Sequence, residues 1–160
     1  MPKNFFQNSF IFLLIGVFSS FLALALTSLY GLFLELNSLG GIIVSTVTEE
    51  LSKLLFLSYS IYYLFSKKEK LIQTLWLFIV FGIGFALLES IFIWNAHQIN
   101  PRLSTIEYLL PSLVHLVTSL VLGLGIFINE KLNNKKIWIS LPFIIALLIH
   151  LAYNLFVLFF

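Results

Sequence analysis

The sequence divides into five apolar segments, each long enough to cross the hydrocarbon core of a bilayer. A core of about 30 Å needs about 20 helical residues. Hydrophobic residues make up 60% of the chain and charged residues 10%, whereas soluble domains carry roughly 25% charged residues. We therefore predict an all-α fold, a polytopic transmembrane helical bundle in which residues 1–160 form a single integral membrane domain. The predicted spans are 9–34, 41–65, 71–94, 108–128 and 137–159.

The charges between the spans predict an orientation. An excess of Lys and Arg marks the cytoplasmic side of a membrane protein. If the five spans alternate in direction, seven lysines lie on one side of the membrane, and Arg102 is the one basic loop residue on the other side. The lysines are Lys3, Lys67, Lys68, Lys70, Lys131, Lys135 and Lys136. We expect a cytoplasmic N-terminus and an extracytoplasmic C-terminus.

The first span has a competing interpretation as a cleavable signal peptide. Ala23 and Ala25 could imitate a processing site. The apolar run continues to Leu34, however, and is longer than a normal signal core. We therefore interpret it as a membrane anchor.

Two adjacent carboxylates, Glu49 and Glu50, lie in the middle of the second apolar segment. Inserting an ionised acid at this depth costs at least ~2.5 kcal/mol, so such a residue usually pairs with another group or has a function. Lys53 lies four residues after Glu49, which places the two on one helix face. The pair predicts a polar site inside the membrane.

Strongly polar residues are few within the spans, and they share one depth. They are Glu49, Glu50, Lys53, Glu89, His115, His150 and Asn154. At a rise of 1.5 Å per residue, five of them lie about 8 to 14 Å below the outer ends of their spans: Glu49, Glu89, His115, His150 and Asn154. Small residues near them predict close helix approach. These are Gly82, Ala86, Thr118, Ser119 and Gly123. We expect the polar residues to converge in one buried pocket.

Each polar residue alone also has a simpler interpretation. Buried His and Asn side chains often serve only as hydrogen bonds between helices. Lys53 can simply neutralise an acid, and Glu89 lies near enough to the interface to be hydrated. His97 and Arg102, in the outer loop, are interpreted as solvated residues. The common depth of the buried set favours a functional site.

Four motifs, in order and in successive spans, resemble those of the PrsW-type glutamic intramembrane protease family, which is related to the CAAX protease-like (CPBP) superfamily. Residues 49–53, E-E-L-S-K, resemble the motif E-E-x-x-K/R. Residues 85–89 resemble F-x-x-x-E of the PrsW branch, and His115 with the small residues after it resembles the third motif. Residues 150–154 match the terminal H-x-x-x-N. The resemblance covers residues 41–155.

The resemblance implies an intramembrane endopeptidase, a hydrolase of the bacterial plasma membrane. Its substrate would be a membrane-anchored protein or peptide, cut near the extracytoplasmic face, and no nucleic acid would be involved. The implied catalytic residues are Glu49, Glu50, Glu89, His115, His150 and Asn154, with Lys53 in support. Peptide hydrolysis needs a base for water and donors for the oxyanion. Glu49 would be the base and Glu50 would tune it, since two neighbouring acids in a low dielectric disfavour double ionisation.

The other motif residues would complete the reaction. Glu89 and His115 would hold water or relay protons, while His150 and Asn154 would donate to the oxyanion. The resemblance to glutamate-dependent enzymes implies no cofactor and no metal. The absence of cysteine rules out thiolate metal sites. A zinc site built from two His and one Glu stays open as an alternative, because catalytic zinc takes three N/O ligands and a water.

Two other functional classes stay open. A non-catalytic membrane scaffold or immunity protein could keep the same fold and use the polar layer for packing. A proton- or ion-coupled carrier could use Glu and His as a relay. Carriers usually show inverted repeats and broken helices, and neither is visible in the five segments.

Overall fold

A computed structural model gives the fold. It describes residues 5–36, 38–64, 71–99, 105–131 and 137–159. Within these ranges the structure is all-helical, which confirms the predicted fold class. The helices are α1 (Phe5–Tyr30), α2 (Leu39–Leu64), α3 (Leu71–Ile99), α4 (Thr105–Lys131) and α5 (Ile137–Phe159).

Four of the helices are long and apolar enough to cross a membrane, namely α1, α3, α4 and α5. Helix α2 is 26 residues long, but it carries Glu49, Glu50 and Lys53 in its middle. It corresponds to the second predicted span, 41–65, and brings charge into the bundle. Large apolar side chains such as Phe10, Phe18 and Phe21 are exposed on the outer surface, as a lipid-facing protein requires. The protein is an integral membrane protein.

The start of α2 is fixed by a side-chain cap. Ser38 lies just before the helix, and its Oγ accepts a hydrogen bond of 3.1 Å from the N–H of Gly41. The same hydroxyl donates to the carbonyl oxygen of Glu35 at 2.6 Å. A serine in this position satisfies a backbone N–H that has no helical partner. The cap fixes where α2 begins and hence where its acidic pair lies.

Close helix contacts depend on glycine. A Cβ on Gly16 of α1 would lie against the carbonyl oxygen of Phe81 in α3, and a Cβ on Gly84 of α3 would lie against that of Leu13. Helices α1 and α3 therefore pack with their backbones nearly touching. Gly82 lies against α4 in the same way, which confirms the predicted close approach on that side.

The helices form a ring of four with a fifth outside it. Packing joins α1 to α2, α2 to α4, α4 to α3 and α3 to α1, while α5 packs on α2 and α4. Among the described residues, the backbones of α2 and α3 lie across the ring without approaching each other closely, and only side chains meet between them. An apolar cluster that includes Phe12, Leu57, Phe78 and Leu122 fills the end of the ring near the N-terminus of α1. The polar residues lie toward the other end.

Candidate functional site

The two adjacent carboxylates of α2 have different surroundings. Successive helical residues are rotated by about 100°, so Glu50 is fully buried while the side chain of Glu49 is 21% exposed. Oε1 of Glu50 accepts a 2.6 Å hydrogen bond from Lys53 Nζ. The same oxygen lies 2.6 Å from Nδ1 of His150. Glu50 is thus held by two partners, whereas the side chain of Glu49 is partly exposed.

Lys53 is fully buried and links three helices. Besides Glu50 on its own helix, Nζ donates to Oγ1 of Thr118 on α4 at 2.7 Å. It also lies 4.6 Å from the ring centroid of Phe85 on α3, a distance at which a cation is attracted to an aromatic face. The sequence placed Lys53 on the face of Glu49. The structure instead pairs it with Glu50, three residues away, because Nζ can donate to Glu50 and to Thr118 at the same time.

Glu89 of α3 pairs with the second buried histidine. Its Oε2 contacts Nε2 of His115 on α4. The side chain of Glu89 is 31% exposed, whereas that of His115 is 1% exposed. The imidazole of His115 also packs on the ring of Phe85, with the centroids 4.7 Å apart. A carboxylate at Nε2 leaves Nδ1 of His115 directed elsewhere, and that atom has no hydrogen-bond partner among the described residues.

Glu49, His115 and His150 form a possible metal centre. One ligand atom of each lies within 4.8 Å of the others, and the two imidazole rings are 4.9 Å apart and perpendicular. Oε2 of Glu49 lies 3.5 Å from Nε2 of His150, and it has no hydrogen-bond partner in the described part of the chain. One Glu and two His are a ligand set of catalytic zinc.

The surroundings of these ligands also fit a metal. Metal-binding histidines usually have their second ring nitrogen held by a carboxylate or carbonyl. Here Glu50 holds Nδ1 of His150, and Glu89 holds Nε2 of His115. The other nitrogen of His150, Nε2, lies 3.5 Å from Oε2 of Glu49, and the other nitrogen of His115, Nδ1, has no partner among the described residues. The residues present fit a divalent cation.

Asn154 lies one turn after His150 on α5. Its Nδ2 donates a 2.9 Å hydrogen bond to Oγ1 of Thr46 on α2, and that hydroxyl donates to the carbonyl oxygen of Ile42 at 2.7 Å. Asn154 thus ties α5 to α2 one turn before Glu50. In this structure the described bond of its amide goes to a hydroxyl and not to the carboxylates.

The structure brings six of the predicted residues on α2 to α5 into one connected group, and it places Asn154 one turn from His150 with its bond to Thr46. The six are Glu49, Glu50, Lys53, Glu89, His115 and His150. Sequence reasoning missed Thr118 as the partner of Lys53 and Thr46 as the partner of Asn154. Each shares a helix face with a predicted residue at a spacing of three or four, which is the signal that could have identified it. The side chains of His97 and Arg102, interpreted as solvated, lie outside the described part.

The comparisons with known proteins agree with this geometry. Residues 6–160 match a family described as PrsW family intramembrane metalloprotease. Comparisons with curated proteins and with solved structures give no match.

Proposed function

Because that match covers almost the whole chain, the protein belongs to the PrsW family of intramembrane metalloproteases, and we propose that its active centre is formed by Glu49, His115 and His150. The observation that carries the proposal is the convergence of three potential ligand atoms within 4.8 Å. It is supported by the two carboxylates, Glu50 and Glu89, that hold the far sides of the imidazoles. The substrate would be a membrane-anchored protein or peptide.

The three residues would hold a divalent cation such as Zn²⁺. When bound, such an ion acts as a Lewis acid that polarises a carbonyl and makes water more acidic. The ligand atoms would be Oε2 of Glu49, Nδ1 of His115 and Nε2 of His150. This proposal takes up the zinc alternative of the sequence analysis. In the metal-free version, Glu49 itself would be the base.

Glu50 and Glu89 would position the two imidazoles. A carboxylate accepts hydrogen bonds, so Glu50 holds the proton of His150 on Nδ1 and leaves Nε2 with its lone pair. Glu89 does the same at Nε2 of His115. Lys53 neutralises Glu50 and keeps its Oε1 in place.

Glu89 is the group we assign to proton transfer. It is the more exposed of the two partly exposed carboxylates, at 31% against 21% for Glu49. It would take a proton from the attacking water and deliver it to the leaving amine, a role worth typically 10²–10⁴-fold in rate. Nδ2 of Asn154 has a second N–H besides the one bonded to Thr46, and this N–H would donate to the oxyanion.

The charge asymmetry of the loops supports cleavage near the extracytoplasmic face. The polar group lies toward the C-terminal ends of α1 and α3, which the positive-inside rule assigns to the outside. A bacterial plasma membrane would be the site of action. Of the lysines that predict this orientation, Lys131 alone lies in the described part of the chain.

The test is cleavage of tagged single-span candidate proteins by purified protein in liposomes. We expect wild type to cut at least one of them, a chelator to abolish cutting and added Zn²⁺ to restore it. Glu49→Gln should be inactive, and Glu35→Gln, in the turn before α2, should be fully active as the matched control.

Two outcomes would overturn the proposal. Cleavage that requires Glu49 but resists the chelator would establish the metal-free glutamate mechanism. Absence of cleavage by folded, Zn²⁺-loaded wild type across the panel would favour the non-catalytic scaffold.

A further inference from the structure

Helix α1 carries none of the motif residues, yet it closes the ring around the site. Its buried residues include Phe12, Gly16 and Ser19. Ser19 follows Phe12 by seven residues, or about two helical turns, so the two share a face. Phe12 belongs to the same buried cluster as Phe78 and Phe81 of α3. The face of α1 that carries Ser19 therefore points into the ring.

The packing of α1 on α3 shows where Ser19 lies along the axis of the bundle. A Cβ on Gly16 would lie nearest to the carbonyl oxygen of Phe81 and next to the backbone nitrogen of Phe85. Gly16 therefore lies between these two residues along α3, and the two helices run in the same direction. One turn beyond Gly16 is Ser19, and one turn beyond Phe85 is Glu89; both steps are about 5.4 Å along the axis. Ser19 thus lies within about one helical turn of the level of Glu89 and its partner His115.

The hydroxyl of Ser19 is available for a ligand. The side chain is fully buried, and Oγ has no hydrogen-bond partner among the described residues. Burial of an unpaired hydroxyl is unfavourable, so an acceptor that reaches it gains a hydrogen bond. The donors of His150 and Lys53 are already used, since Nδ1 of His150 faces Glu50 and Nζ of Lys53 bonds to Glu50 and Thr118.

We propose that Ser19 is a substrate-binding residue whose hydroxyl donates a hydrogen bond to a main-chain carbonyl oxygen of the peptide held at the Glu49–His115–His150 centre. This inference rests on the proposed function. Main-chain carbonyls are present in every peptide, so the contact contributes to affinity and position and not to side-chain selectivity. Helix α1 becomes the wall of the site opposite α4.

The experiment uses the tagged single-span protein that wild type cuts in liposomes. The variants are Ser19→Ala and Ser19→Cys, of which the second keeps the size but offers only a weak donor. The control is Ser119→Ala. Ser119 is also fully buried with an unpaired Oγ, but it packs at Gly82, which lies seven residues, or about two turns, before Glu89 on α3.

We expect both Ser19 variants to raise KM about tenfold with kcat within about twofold, since tenfold corresponds to ~1.4 kcal/mol, the size of one hydrogen bond. Binding of the same protein to Glu49→Gln should weaken by the same factor when Ser19→Ala is added. Ser119→Ala should leave both values unchanged.

An unchanged KM in Ser19→Ala, or an equal rise in Ser119→Ala, would overturn the role of Ser19 while Glu49-dependent cleavage still stands. If wild type cuts nothing, or if cleavage does not need Glu49, the proposed function fails and the inference fails with it.

Discussion

Lys53 and Glu50 are both fully buried, and the charge of each compensates the charge of the other. Removing one partner of a buried ion pair leaves an uncompensated charge, which typically costs 3–5 kcal/mol. We expect Lys53→Met to lower the free energy of unfolding by about this amount. Denaturant unfolding in detergent micelles, followed by circular dichroism, would measure it.

The matched control for Lys53→Met is the double variant Lys53→Met/Glu50→Gln. Replacing both charges by neutral groups of similar size is often close to neutral for stability, and a glutamine oxygen at position 50 can still accept from His150. We expect the double variant to recover most of the lost stability. If it is as unstable as the single variant, packing and not charge explains the effect.

Glu89 offers a second test at the scale of single residues. Glu89→Gln keeps an oxygen that can accept from His115 but cannot take a proton, so we expect kcat to fall about 100-fold. The zinc content of the purified protein, measured by elemental analysis, should stay near that of wild type. If zinc is lost in parallel with activity, Glu89 positions His115 and does not transfer the proton.

At the scale of helices, the contact of α1 with α3 depends on the absence of a side chain at Gly16. A Cβ there would press on the carbonyl oxygen of Phe81, and overpacking of this kind costs typically 1–3 kcal/mol. We expect Gly16→Ala to destabilise the protein by that amount in detergent unfolding. Gly40→Ala is the control, because the atom nearest to its added Cβ is Ser38 Oγ, at 3.9 Å. Equal losses in both variants would contradict the packing argument.

Helix ends were harder to predict than helix number. The apolar run predicted a first span to residue 34, whereas α1 ends at Tyr30. The turn that follows still contains Leu32 and Phe33, both largely exposed. Hydropathy cannot separate an apolar helix from an apolar turn at the membrane surface, while the cap at Ser38 could have been recognised from its residue type.

At the scale of the whole molecule, the convergence of the candidate site residues could be predicted but their pairing could not. Because the rise per residue of a helix is constant, the position of Glu49, His115 and His150 within their spans predicted that they lie at a similar depth. Which carboxylate each imidazole contacts depends on the rotation of α4 against α3 and of α5 against α2. The sequence predicts a close approach at Gly82, but it does not reveal that the partner there is Leu116 of α4.

The orientation of the whole bundle determines which side of the membrane the site serves, and the absence of cysteine makes it measurable. Single variants Glu35→Cys, in the α1–α2 turn, and Lys131→Cys, at the end of α4, lie on opposite sides if the spans alternate. By the positive-inside rule we expect a membrane-impermeant maleimide to label only Glu35→Cys in intact cells, and both after the membrane is opened. The reverse pattern would place the centre toward the cytoplasm, and cleavage would then have to occur on that side.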